Sequence, residues 1–120
     1  MRRDEQRLVD ILEALDSVAK ITLGLSESAF LADDTVRFAV AHRLTVAGEA
    51  VARLNAEIRG KYEDVPWIDV VGFRNILVHE YFGVHWPLVW QTVTEYAPEL
   101  RRRISAILEA EFPPSASIGG

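Results

Sequence analysis

Apolar positions recur at helical spacing along almost the whole chain. Leu8, Ile11, Leu12, Leu15, Val18 and Thr22 step by three and four, with Asp10, Glu13, Asp16 and Lys20 between them. This pattern predicts a first helix over roughly residues 3–23, stopped by Gly24. Ser26 is placed to cap a short helix through Phe30 and Leu31. Asp33 or Asp34 caps a long helix in which Val36, Val40, Leu44, Ala47, Val51, Leu54 and Ile58 form a near-heptad stripe, ended by Gly60. A second stripe on that helix, Ala41, Thr45, Gly48 and Ala52, is made of small residues. A glycine inside a helix costs about 1 kcal/mol relative to alanine, so Gly48 predicts a close helix–helix approach, within the subunit or between subunits. Asp64-Val65-Pro66 reads as the next helix start, with Asp64 near the cap, Pro66 near the first position and Gly83 as the stop. The stretch from Pro66 to about Tyr81 is apolar nearly all round, which predicts the central helix. From Trp86 to Glu111 the spacing of Leu88, Val89, Val93, Leu100, Ile104, Ile107 and Leu108 is helical again. Pro98 interrupts it, giving two helices or one kinked helix. No run alternates with period two for long enough to be a strand. The predicted fold is all-α, an up-and-down bundle of four main helices plus one or two short ones. Residues 1–112 form the helical domain, and 113–120, from Pro113-Pro114 to Gly119-Gly120, form a flexible C-terminal tail.

A chain of 120 residues is long enough for one domain with a real core. Its net charge of −5 changes the functional picture. An acidic domain does not coat nucleic acid through its overall field, so RNA or a nucleotide would have to be handled at a local basic site. There is no cysteine, which excludes disulfides and thiolate metal sites. The three histidines lack ligand spacing with carboxylates, and there is no glycine-rich phosphate loop, so neither a metal nor a cofactor is expected. The first residues, Met1-Arg2-Arg3-Asp4-Glu5-Gln6, do not read as a signal peptide. No apolar run approaches the ~18 residues that span a membrane. The expected setting is the cytoplasm.

Chemistry concentrates in Phe73–Gly83. Arg74, Asn75, His79 and Tyr81 stand among Val70, Val71, Phe73, Ile76, Leu77 and Val78. Burying an arginine and a histidine in such company costs several kcal/mol unless they are paired or face a groove. On an ideal helix Asn75 and His79 share a face, Arg74 and Tyr81 nearly eclipse, and all four fit an arc of about 160°. Arginine offers a fixed fork of donors for phosphate. An imidazole exchanges protons near neutral pH. Asparagine can hold a substrate oxygen or orient the imidazole, and tyrosine offers a hydroxyl and a stacking ring. These are the parts for metal-independent RNA cleavage. His79 would take the 2′-hydroxyl proton or protonate the leaving oxygen, and Arg74 would stabilise charge developing at phosphorus. A second imidazole would have to come from a two-fold mate, which makes a composite dimer cleft one reading. The other is an Arg–His pair bonded to carboxylates inside the bundle. Glu49 and Asp10 are the carboxylates that could pair with Arg74. His85 either caps the following helix or adds an imidazole. His42 reads as a packing residue, Arg101-Arg102-Arg103 as a solvated face or a landing strip for RNA phosphates, and Trp67, Trp86 and Trp90 as core or interface anchors.

These residues carry a resemblance. Arg74, His79 and Tyr81 match the Arg-x4-His-x-Tyr motif of the HepT-like toxins (DUF86), a branch of the HEPN superfamily, and Asn75 matches the polar residue that often follows the arginine there. Leu8 through Ala14 resembles the family's first helix. Ala47-Gly48-Glu49-Ala50 is similar to its IGEA-like segment. Val65-Pro66-Trp67 and Arg74 through Val84 resemble its PW…RN-LVH-YFGV block. His85 departs from the Asp that family members often carry after the Gly-Val pair, and the chain reads His42-Arg43-Leu44 where many have an arginine before the leucine of the third helix. The resemblance implies a HEPN-like helical homodimer with the motif at the interface. It implies an endoribonuclease toxin in a type VII-like toxin–antitoxin pair, acting on an RNA such as tRNA or mRNA. The implied partner is a minimal nucleotidyltransferase antitoxin that silences the toxin by AMPylation of Tyr81. The competing expectations are a non-catalytic helical dimer that binds a nucleotide or a partner in the same groove, and a purely structural dimer.

Overall fold

The computed structural model describes residues 2–114. Among them there is no strand, and the fold is an all-α, HEPN-like bundle. Helix α1 is Arg2–Thr22, α2 Glu27–Ala32, α3 Asp34–Ala52, α4 Ala56–Lys61, α5 Trp67–His79, α6 Trp86–Gln91 and α7 Ala97–Glu111. A 3-10 turn, Tyr81–Gly83, lies between α5 and α6. No helix of the described residues is long and apolar enough to cross a membrane.

The local signals explain most boundaries. Gly24, at φ +78°, takes the left-handed turn that ends α1. Ser26 accepts the Ala29 N–H at 3.1 Å and opens α2. Asp33, rather than Asp34, accepts the Val36 N–H at 3.1 Å and opens α3. The helix expected to run on to Gly60 instead breaks after Ala52. Asn55 caps a separate α4 by accepting the Glu57 N–H, while the buried Asp4 carboxylate accepts the Asn55 N–H at 3.1 Å. Pro66 sits at the cap of α5, just outside the first position it was expected to fill, and Asp64 pairs with Arg103 instead of capping. Pro98 is absorbed by a widened turn, Thr92–Tyr96, where the Ala97 N–H donates to the Thr92 carbonyl five residues back. This keeps α6 and α7 nearly continuous. A π-type bulge relieves the clash a proline ring would make with the carbonyl four residues earlier.

The central pair is α1 and α3. Leu8, Ile11, Leu15 and Val18 meet Val40, Leu44, Ala47 and Val51 in the core, with Phe30 and Ile104 fully buried beside them. Helix α5 packs on α3, and α7 packs on α1, so these two flank the pair. The expectation that α5 is central is therefore corrected. Only Trp67 and Leu77 are buried on it, and Ile68 is 87% exposed. An apolar sequence signals a surface that wants cover, and the cover need not come from the same chain. Between α5 and α6–α7 an apolar groove of about 490 Å³ remains open, lined by Leu44, Phe73, Leu88, Tyr96 and Leu100. Trp67 is an anchor whose indole N–H reaches the Arg59 and Tyr62 carbonyls, and Trp90 packs against Phe30. The end of α7 is tied down where Glu111 accepts the Tyr62 hydroxyl at 2.6 Å and pairs with Lys61. Those bonds hold the Glu111 carboxyl below the usual carboxylate range. Of the tail expected at 113–120, Pro113 and Pro114 are exposed, and 115–120 lie outside the described residues.

Candidate active site

Helix α5 sorts the predicted residues onto different sides. Arg74 leaves the helix against α3, opposite Gly48. A Cβ built at Gly48 would stand 2.4 Å from the Arg74 Cβ and 2.8 Å from its Cγ, so only glycine lets α5 come this close. The aliphatic stem of Arg74 fills the space, and its side chain is 19% exposed. Its Nη1 lies 3.5 Å from Glu49, which also stands 4.0 Å from Arg53. The buried Nε of Arg74 has no hydrogen-bond partner. Arg74 is thus held by one long, partly solvated ion pair and by packing. Such a contact exchanges readily for a phosphate oxygen.

Asn75 and His79 are exposed. They continue a stripe that begins at Ile68 and Gly72, since steps of four, three and four bring 68, 72, 75 and 79 to one side of a helix. Arg74 lies about 100° round the axis from Asn75 and about 140° from His79. The long guanidinium has to reach across that arc to share a substrate with the imidazole. Helix α5 ends at His79, where the Glu80 N–H closes on the Ile76 carbonyl. The expected continuation to Tyr81, and its eclipse with Arg74, does not form. Tyr81 instead turns onto α3, stacked on Phe38 with ring centroids 5.4 Å apart, and its edge contacts involve Phe82 and Trp86. Burial pushes the Tyr81 hydroxyl above the ordinary phenol range; Asp34 adds to the effect and Arg37 opposes it. The phenol therefore carries its proton at neutral pH.

The supporting residues divide. Glu49 meets Arg74, as described. Asp10 is on α1, where it accepts from Gln6 at 2.9 Å. His85 is exposed and caps α6 through its carbonyl, which accepts the Leu88 and Val89 N–H groups, with no side-chain cap bond. Each guanidinium of Arg101-Arg102-Arg103 has a carboxylate partner: Asp16 for the first, Glu99 for the second, Glu99 and Asp64 for the third. Among the described residues no group of three or more histidine or carboxylate side chains is gathered to hold a metal ion. Phe38 and Arg37, on the turn of α3 that faces Tyr81, were not singled out by the sequence reading. Phe38 breaks the pattern of α3 as a large apolar residue off the buried stripe, and that was the available signal.

The subunit thus presents a half-sheltered arginine against α3, an exposed Asn75 and His79 on another side of the same helix, and a phenol just past the helix end. The model of the family described as Ribonuclease HepT-like matches residues 11–107 of the chain. The chain belongs to the HepT-like ribonuclease family. A protein of Methanocaldococcus jannaschii named "Putative RNase MJ1380" is 36% identical over 100 residues, covering 83% of this chain and 92% of that protein. One of Caldanaerobacter subterraneus named "Putative RNase TTE0752" is 34% identical over 111 residues, 92% of this chain and 99% of its own. The "Probable ribonuclease HepT" of Thermococcus cleftensis is 30% identical over 106 residues, 88% and 96% respectively. No solved structure matches significantly. Membership of this HepT-like family supports a function of the ribonuclease type.

Proposed function

We propose that the chain is an endoribonuclease that cleaves RNA by internal transphosphorylation at a composite site formed by two copies. The observation that carries this reading is the presence, on one helix of a HepT-like chain, of Arg74, whose guanidinium has a single long ion pair, and a solvent-facing His79. In the reaction the RNA 2′-oxygen attacks the adjacent phosphorus and the bond from phosphorus to the 5′-oxygen breaks. One imidazole removes the 2′-hydroxyl proton, and the imidazole of the other copy gives a proton to the departing 5′-oxygen. Arg74 exchanges Glu49 for a phosphate oxygen and stabilises the charge built up at phosphorus. Asn75, one turn before His79, orients the imidazole or the substrate.

The dimer is supported by the α5 stripe. Gly72 lies within the helix with nothing inside 4 Å of a Cβ built there, so the subunit's own packing does not use it. Beside it Ile68 is 87% exposed. A glycine next to an exposed isoleucine suits the close approach of α5 to its two-fold mate, which would bring both His79 side chains to one cleft.

The fuller reading is a toxin, partnered by a small nucleotidyltransferase antitoxin. The partner would catalyse attack of the Tyr81 oxygen on the α-phosphorus of ATP. Pyrophosphate would leave and the phenolic proton would be lost. The added phosphate and adenosine at the end of α5 would neutralise and block the site. The site of modification is supported by the position of Tyr81, half-exposed on the turn two residues after His79.

The decisive comparison uses unmodified protein, verified by intact mass, against His79→Ala. RNA cleavage and growth inhibition are expected to fall at least a hundredfold while helicity and dimerisation persist. If unmodified wild type leaves cellular RNA intact, the ribonuclease reading fails. The ion pair of Arg74 with Glu49 favours one alternative, a groove that binds a nucleotide or partner without catalysis. That alternative predicts nucleotide binding lost in Arg74→Ala, with no cleavage by wild type.

A further inference from the structure

The proposed reaction leaves the aromatic cluster at the end of α5 unused. Phe82 is fully exposed, on a turn three residues after His79, and Phe38 is 55% exposed on α3. Tyr81 joins them. It stacks on Phe38 with 28° between the ring planes and stands at 83° to Phe82. Trp86 closes the far side under the Arg37 guanidinium, 5.4 Å from its ring. Single exposed apolar residues are ordinary, but two open aromatic rings joined through a third form a patch that water does not favour.

We propose that this patch is a nucleobase platform and that the substrate is single-stranded RNA, with unpaired bases flanking the scissile phosphate lying on Phe38 and Phe82. This proposal rests on the ribonuclease reading above. A nucleobase fits the open rings because every base presents a flat π face, and stacking on exposed aromatics is the common means of holding unpaired bases. The position fits as well, since the platform begins directly after the helix that carries Arg74, Asn75 and His79. The near-right angle between the planes of Tyr81 and Phe82 adds a mechanistic consequence. Tyr81 and Phe38 already form a two-ring stack, which a base continues on the open face of Phe38. A base on Phe82 then cannot lie parallel to it. Neighbouring bases are splayed, which a paired helix forbids and a single strand allows. Splaying frees the ribose to bring its 2′-oxygen in line with the bond that breaks, a near-attack geometry that regular A-form stacking withholds.

The test measures binding of a short single-stranded RNA, uncleavable because every ribose carries a 2′-O-methyl group, to the full chain by fluorescence anisotropy. Phe82→Ala is expected to weaken binding about tenfold, and Phe82→Trp to restore it. Leu23→Ala, which removes another largely exposed apolar side chain just after α1, is expected to change nothing. An abasic ribose at the flanking position should cost wild type the same factor and cost Phe82→Ala nothing further, because the two changes remove one interaction. A fully paired duplex should bind without regard to Phe82. If wild type cleaves and binds RNA and Phe82→Ala does so equally well, the platform is wrong and the ribonuclease reading stands. If Phe82→Ala keeps RNA binding but loses association with a partner protein, the patch is a protein docking surface and the proposal is overturned. If wild type neither binds nor cleaves RNA, the ribonuclease reading fails and takes the platform with it.

Discussion

Gly48 shows how one residue without a side chain sets the position of a charged one. Its place on α3 lets the Arg74 stem lie against the helix backbone and delivers the guanidinium to Glu49. On propensity alone Gly48→Ala would stabilise α3 by about 1 kcal/mol. The new methyl would stand 2.4 Å from the Arg74 Cβ, an atom fixed to the α5 backbone, so α5 itself has to move. Overpacking of this kind costs about 1–3 kcal/mol, and the steric term should win. Gly48→Ala is expected to lower the urea midpoint and to reduce cleavage more than its stability loss explains, because Arg74 is displaced. A variant with unchanged midpoint and activity would show that α5 is not held at this contact. The residue types were legible in the sequence: Gly48 as a close approach and Glu49 as a partner for Arg74. Which helix approaches, and from which side, depends on packing that no local pattern carries.

At the scale of elements, the sequence was read best where a cap residue stands alone and worst where two signals conflict. The Val51, Leu54, Ile58 stripe continues at helical spacing straight through the break at Arg53–Asn55, so periodicity favours one helix. What ends it is a contact from the far end of the chain, the buried Asp4 carboxylate on the Asn55 N–H, 51 residues away in sequence. Asp4→Ala removes that acceptor and leaves an inward-facing N–H unpaired. The expected cost is about 1–2 kcal/mol, concentrated at the α3–α4 junction. Amide exchange at Asn55 should speed up well before exchange in the α1–α3 core does, which separates a local junction from a general loss of stability. The end of α5 followed the same rule. Gly83 was a visible stop, but the helix ends four residues earlier, at His79, and Tyr81 stacks on Phe38 of α3. That partner belongs to α3, and the sequence around Tyr81 does not display it.

For the whole molecule, the unsatisfied surface of α5 is the main structural fact. The described residues form an elongated body, 50 × 28 × 20 Å, with a radius of gyration of 15.2 Å. A compact chain of this length has about 13–14 Å. The all-round apolar pattern of α5 predicted a central helix, yet the subunit covers it mainly along α3 and leaves Ile68 87% exposed. A two-fold mate on the Ile68–Gly72–Asn75–His79 stripe would supply cover and complete the catalytic pair at once. This gives Gly72 a signature that no residue of the monomer core shares. In the isolated subunit Gly72→Leu meets open space and improves helix propensity, so it should leave the thermal midpoint unchanged or raise it by a few degrees. In the proposed dimer the leucine would clash with the facing helix, and the symmetry would count the clash twice. At about 1.4 kcal/mol per copy the dissociation constant rises about a hundredfold. Sedimentation should then show monomer at micromolar concentration, with RNA cleavage lost although Arg74 and His79 are intact. Mixing Gly72→Leu with His79→Ala should restore nothing, because the first cannot pair. A Gly72→Leu protein that is monomeric and still cleaves RNA would mean that one chain holds the whole site, and the second imidazole would have to be sought within the subunit.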